Sequence, residues 1–468
     1  VPYAGVLAPG DTAVGEEDGA RVYVTRVQLT NIKGFSGKRV VDLTLPGRSG
    51  WTVLAGRNSS GKSTVLQAIA LALGGPTVAR TLVPDFTGWI TTGAKKGEVE
   101  VHVTGQSGLD AFVEPGNTPQ DDISLGLQWT RPAEQDHVQR RVMDTLTGKG
   151  KSGARGPWAD NPIGWFCAGY GPFRRLTGGS SEAQRLMANQ GPSGRLATLF
   201  HEDASLAEGV AWLVDLRLRS YEENTERGVA GPLLATVLEL LRDGLLPDRY
   251  QIKRVTADGL WVVEDGREGP QFPLKEMSDG YRTVAALVLD IVRQIHGVYG
   301  YLDIASAAGG GTAITQPGVV LIDEVDAHLH VTWQRKIGAW LQEHFPNIQF
   351  IVTSHSPYIC QAADEGGLIR LPGIDEQQAP QVVAEDLYRR VVYGSGDDAV
   401  LSELFGLETP YSGRAEQQRR RLVELEGKVY DETATDEEVL EYQELGSLLT
   451  SSLRSRVAEV SARLEQGR

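Results

Sequence analysis

Nine consecutive residues, Gly56-Arg57-Asn58-Ser59-Ser60-Gly61-Lys62-Ser63-Thr64, set two glycines, a lysine and hydroxyls in the spacing G-x-x-x-x-G-K-[ST]. Each residue type has a task if the ligand is a polyphosphate. Glycines let successive backbone N–H groups turn inward around a phosphate, and a following helix adds its positive end. Lys62 supplies a mobile cation between β- and γ-phosphates, and Ser63 offers its hydroxyl to Mg²⁺. Gly56, Asn58, Ser59, Ser60, Gly61, Lys62, Ser63 and Thr64 are therefore the candidate nucleotide contacts.

Two further motifs carry chemistry. The apolar run Val319-Val320-Leu321-Ile322 ends in Asp323-Glu324, and burying adjacent carboxylates is costly without a cation or a reaction to serve. Asp323 suits the carboxylate that holds Mg²⁺ through water, and Glu324 the base that orients an attacking water. Thr353-Ser354-His355-Ser356 follows another apolar run, Gln349–Thr353, so His355 should emerge at the same carboxyl edge of a sheet and face the γ-phosphate. Lys62, Glu324 and His355 are the candidate catalytic residues. Ser63 and Asp323 are the candidate Mg²⁺ ligands.

These motifs need strands that end at one edge. Val22–Leu29 and Arg39–Leu45 alternate as a hairpin around Gly34-Phe35-Ser36-Gly37, and Trp51–Ala55 reads as a short buried strand. Helix spacing follows over Thr64–Leu73, in Val65, Leu66, Ile69 and Leu73. Later helices are expected over Asp279–His296 and about Val331–His344, with strands at 319–322 and 349–353. The organisation expected is α/β: a flexible lead over 1–20, an ATPase-type lobe in two parts, 21–78 and 276–384, and a mainly helical lobe inserted at 79–275. A polar helical tail, 385–468, should hold two antiparallel helices, Arg414–Val429 and Thr435–Leu449, the second opened by a capping box of Thr435 and Glu438.

With Met277-Ser278-Asp279-Gly280-Tyr281-Arg282 heading a helix, these residues resemble the ABC-type ATPases. The resemblance implies an ABC-ATPase head: a P-loop NTPase fold, a mixed sheet flanked by helices, with the inserted helical lobe and a C-terminal helical extension. It further implies ATP and Mg²⁺ as cofactors and a head-to-tail dimer, in which Ser278 and Gly280 reach the γ-phosphate held by the opposite subunit; a higher oligomer is left open by the sequence. Asn31-Ile32-Lys33-Gly34-Phe35, together with Asp323-Glu324-Val325-Asp326-Ala327-His328-Leu329-His330 and Thr353–Pro357, is similar to the soluble SMC-like, RecF-like and OLD-like members. On that likeness, which spans about 22–363, Lys33 joins the nucleotide contacts and Asp326 stands near the dimer contact. His328 and His330 are expected to pack a helix rather than hold a metal. Three positions depart from the pattern. Ser59 stands where glycine is usual, Asp279 replaces a small residue, and 168–175 lacks the expected glutamine, which leaves Arg174 or Arg175 to contact phosphate.

Composition limits what such an ATPase could drive. The 468 residues carry a net charge of −15, which argues against a surface that is basic throughout. Arg140, Arg141, Lys149, Lys151, Arg155, Arg174, Arg175, Arg185 and Arg195 form the one basic region, and hence the candidate contact for DNA. Two distant cysteines, Cys167 and Cys360, suit a reducing cytoplasm. No run approaches the roughly 18 uninterrupted apolar residues of a membrane helix, so no membrane partner is expected. The stretch between Lys62 and Ser278 lacks the heptads of an SMC arm. No histidine follows His355, which removes an HNH or HD nuclease centre from the tail. The architecture resembles the stand-alone ATPase subunits of bacterial anti-phage systems, the Septu type among them, which work with a separate HNH-like nuclease chain. A repair ATPase and a nucleotide-loaded scaffold with little turnover are the alternatives.

Overall fold

The computed structural model describes residues 23–104, 122–131, 145–149, 157–158, 165–174, 181–188, 191–222, 228–246, 250–264, 270–406, 409 and 411–449. The lead expected over 1–20 lies outside them. The chain divides into two compact units, 1–396 and 397–468.

The first unit opens with β1 (Val24–Thr30), β2 (Val41–Thr44), β3 (Gly50–Ala55) and α1 (Lys62–Leu82). Then come β4 (Lys96–Thr104), β5 (Asp122–Thr130), β6 (Thr145–Lys149) and β7 (Cys167–Tyr170). Helices α2 (Ser181–Ala188), α3 (Pro192–Leu196), α4 (Ala207–Glu222) and α5 (Ala230–Arg242) lead to β8 (Tyr250–Thr256), β9 (Gly259–Glu264) and β10 (Phe272–Pro273). The long α6 (Asp279–Tyr299) precedes β11 (Ile304–Ser306), β12 (Thr312–Ile314) and β13 (Gly318–Ile322). Next are α7 (Val331–Gln334), α8 (Ile337–His344), β14 (Ile348–Ser354), α9 (Pro357–Cys360), β15 (Leu368–Arg370), β16 (Gln381–Val382) and α10 (Glu385–Val392). The short α11 (Gly396–Val400) then precedes the tail helices α12 (Gly413–Tyr430) and α13 (Asp436–Leu448).

Two sheets organise the first unit. One runs β2-β1-β4-β5-β6 and is antiparallel throughout. Its strands alternate in burial, β4 most regularly, because one face packs on the core and the other meets solvent. The second runs β16-β15-β3-β14-β13-β7, and every pair except β15–β16 is parallel. Strands β13 and β14 are buried at every residue, as parallel strands covered on both faces must be, which explains their unbroken apolar runs.

The expected mainly helical insertion over 79–275 differs from what forms. Strands β4 to β6 join the antiparallel sheet of β1 and β2, β7 takes an edge of the parallel sheet, and only α2 to α5 are helical. The segment is thus shared between both sheets, a helical part and a separate antiparallel sheet, β10-β9-β8. The tail boundary also moves: α10 belongs to the first unit, where the buried Tyr388 donates its hydroxyl to Ala363 O at 2.9 Å.

Two helices differ from expectation in length. Helix α1 extends past Leu73 to Leu82 but leaves helical geometry at Gly75, φ 81°, where Pro76 follows and the Trp158 ring lies 2.5 Å from where a Cβ would stand. The expected helix over 331–344 is broken at Arg335-Lys336 into α7 and α8. Among the described residues α1 is the one helix long and apolar enough to cross a membrane, and it is mostly buried in the core.

In the second unit α12 and α13 run antiparallel, since Arg421 pairs with Glu441 at 2.9 Å and Lys428 with Glu438. Ser412 caps α12 by accepting Ala415 N–H, and the expected capping box of Thr435 and Glu438 opens α13.

Candidate active site

Strand order places β14 between β3 and β13, so the three motifs emerge side by side at the carboxyl edge. Ladder pairs Ser354↔Ala55 and Val352↔Ile322 fix the register. One residue further on, His355 stands level with Gly56, and Thr353 with Asp323.

The phosphate loop turns on two left-handed residues, Ser59 at φ 63° and Gly61 at φ 99°. Gly61 is doubly required: a Cβ there would also lie 2.5 Å from the Phe35 ring. At Gly56 a Cβ would come within 2.4 Å of Leu371 O. The loop is braced by a residue the sequence reading missed. Buried Arg39 donates to Ser60 O at 3.0 Å and to Pro372 O at 2.9 Å, and its guanidinium lies over the Phe35 ring. An arginine next to a strand carries no sequence signal for that role.

Lys62 is buried and donates Nζ–H to Gly56 O at 3.0 Å and Arg57 O at 3.1 Å. Burial lowers its pKa to about 8, against the pull of Asp323, Glu324 and Asp326. Asp323 is buried and accepts the Thr353 hydroxyl, while the same hydroxyl oxygen accepts Glu324 N–H at 2.7 Å. Glu324 is half-buried in a left-handed conformation, φ 45°. Burial and the neighbouring carboxylates Asp323 and Asp326 raise its pKa, which suits a group that takes a proton. Asp326 accepts the Ser354 hydroxyl at 2.6 Å. His355 is half-buried, and burial and the Lys62 cation lower its pKa, so the imidazole is neutral at pH 7.

The residues present fit ATP with Mg²⁺. Ser60 Oγ is buried inside the loop with no hydrogen-bond partner, an orphan that a phosphate oxygen would satisfy. A hydroxyl at Ser63 and a carboxylate at Asp323 are the hard oxygen donors that Mg²⁺ takes beside phosphate. Among the described residues no group of three His, Cys, Asp or Glu side chains gathers as for a protein-only metal cage.

Other expected residues fall elsewhere. Ser278 is the exposed N-cap of α6, and Gly280 packs on the turn after Asp326. Lys33 is turned to Trp89, with its ammonium 4.6 Å from the ring centroid; Phe35, two residues on, is the one that reaches the loop. The expected packing role does not hold for either histidine: His328 and His330 are both exposed, and His330 caps α7 by accepting Thr332 N–H.

Of the basic region's nine residues, four lie among the described residues. Arg174 is buried, 2% exposed, with its guanidinium spent on backbone carbonyls, so it reaches neither DNA nor phosphate. Arg195 is also buried and donates to Cys167 O. Lys149 pairs with Glu98 and Glu100 on its own sheet. Arg185 is exposed. Arg140, Arg141, Lys151, Arg155 and Arg175 lie outside the described residues.

Two family models match the chain. One, described as "AAA domain, putative AbiEii toxin, Type IV TA system", covers residues 180–361, and the other, "AAA domain", covers 26–152. The Septu protein PtuA of Bacillus mycoides is 25% identical over 375 residues, which is 79% of this chain and 43% of that one. The Retron Ec83 probable ATPase of Escherichia coli is 38% identical over 108 residues, 23% of this chain and 18% of that one. The chain therefore spans less than half the length of these curated relatives. Among solved structures, the Smc head domain bound to the C-terminal domain of ScpA derived from Pyrococcus furiosus is 16% identical, with a TM-score of 0.41 over 77% of this chain and 96% of that one. The sheet order and the phosphate loop between β3 and α1 give a P-loop ATPase fold, and over 79% of its length the chain resembles the Septu protein PtuA.

Proposed function

We propose that the chain binds ATP with Mg²⁺, hydrolyses it, and serves as the ATPase subunit of a bacterial anti-phage complex that controls a separate nuclease chain. The observation that carries hydrolysis is the convergence of Lys62, Asp323, Glu324 and His355 at the ends of three adjacent parallel strands. In this reading the loop N–H groups and Lys62 hold the phosphates, and Ser63 and Asp323 hold Mg²⁺. Bound Mg²⁺ would neutralise charge on the β- and γ-phosphoryl oxygens. Glu324 orients the attacking water and accepts its proton, and neutral His355 donates a hydrogen bond to the γ-phosphoryl group.

Ser278 supports a head-to-tail dimer: it is exposed at the start of α6, with no capping hydrogen bond to hold its hydroxyl. Such a position can serve a nucleotide on a second copy. The tail supports partner docking, since Tyr430, Leu440 and Leu448 are each more than 60% exposed on α12 and α13. The defence role rests on the similarity to the Septu protein.

ATP turnover by the purified chain, alone and with single- or double-stranded DNA, tests the reading beside Lys62→Ala and Glu324→Gln. Turnover lost in Lys62→Ala and cut to a small but measurable rate in Glu324→Gln supports hydrolysis at this site. Tightly held ATP without turnover in the unsubstituted chain favours a nucleotide-loaded scaffold. Stimulation by DNA supports nucleic-acid sensing.

A further inference from the structure

We propose that Arg174 is the positioning residue of the acid turn, acting on hydrolysis through Glu324 without touching the nucleotide. The inference rests on the hydrolysis reading above.

Arg174 lies four residues past the end of β7, the strand beside β13. Its Nη1 donates to Gly171 O and Asp323 O, both at 2.9 Å, and its Nη2 to Glu324 O at 3.0 Å and Val325 O at 3.3 Å. Three successive carbonyls of the acid turn therefore point at one guanidinium. The group stays a cation despite burial, which lowers its pKa only to about 10. A buried cation without hydrogen bonds would be costly, so the carbonyl dipoles and the charge stabilise each other.

The turn needs such a clamp. Successive side chains on an extended strand point to opposite faces, so Asp323 and Glu324 can serve one site only if the chain leaves strand geometry between them. It does so at Glu324, whose φ of 45° is unfavourable for any residue but glycine. Thr353 Oγ1 fixes the Glu324 amide from the β14 side, and Arg174 fixes its carbonyl from the β7 side. With both peptide groups held, the direction in which the Glu324 side chain leaves the turn is set. A lysine cannot replace this, because one ammonium does not present the planar fork that reaches all these oxygens.

The test is Arg174→Lys, with and without Glu324→Gln, measured by ATP affinity in equilibrium binding and by release of labelled phosphate. A misplaced base costs roughly 100-fold in rate. The expected result is ATP affinity within about twofold of the unsubstituted chain, kcat lower by about 100-fold, and no further loss when Arg174→Lys is added to Glu324→Gln. Loss of ATP binding in Arg174→Lys, unchanged kcat, or losses that multiply in the double variant would each overturn the role while leaving the hydrolysis reading in place. Absence of turnover in the unsubstituted chain would overturn that reading and this inference with it.

Discussion

Gly280 and His328 meet so closely that a Cβ on residue 280 would lie 2.6 Å from the His328 carbonyl oxygen. The start of α6 therefore rests directly on the turn that follows Asp326. This contact gives Gly280 a packing role inside one chain, independent of any nucleotide.

Ser278 and Gly280 should separate when substituted. Gly280→Ala must push α6 off that turn, which lowers the melting temperature by several degrees, an effect of about 1–3 kcal/mol. Ser278→Ala touches an exposed hydroxyl and should leave the melting temperature unchanged while reducing ATP turnover. Equal thermal stability in both variants would contradict the contact.

Gly61→Ala tests the loop. The new methyl would meet the Phe35 ring at 2.5 Å, in a backbone region that alanine avoids. Calorimetry should show destabilisation, and ATP binding should be lost even at temperatures where the variant is folded.

ATP affinity should depend on pH through Lys62. Its pKa near 8 means that the ammonium is present below that value and must be regained from solvent above it. Bound phosphate favours the charged form, so binding takes up protons above pH 8, and affinity falls by up to about tenfold per pH unit there. Calorimetry in buffers of different ionisation enthalpy reads this uptake directly. A Kd that is flat from pH 6.5 to 9 would contradict it.

In the tail, Thr435→Ala removes the hydroxyl that accepts Glu438 N–H and should cost the helical hairpin about 1 kcal/mol. Hydrogen exchange would show faster opening of the first turn of α13. ATP binding should not change.

Much of the site was legible because its chemistry is written in contiguous residues. The phosphate loop, Asp323-Glu324 and His355 each follow an apolar run, and a buried parallel strand can hardly look otherwise. The antiparallel sheet was not legible in the same way. β4 pairs with β1 across more than 60 residues, and nothing in Val99–Val103 names its partner. Arg174 was misread for a related reason. A basic residue in a polar stretch looks solvent-facing, and its carbonyl partners lie about 150 positions away. Arg39 escaped notice on the same grounds, and Lys33 drew attention that belongs to Phe35.

A buried side chain links the two sheets. Gln349, buried at the second position of β14, accepts Val24 N–H at 2.8 Å and donates to Val24 O at 2.9 Å, so its amide substitutes for a peptide group in pairing with β1. The strand that ends at Thr353, Ser354 and His355 is thereby fastened at its far end to the outer sheet. Without that amide, Val24 N–H and C=O would lose these partners just where the strand that carries the candidate groups begins.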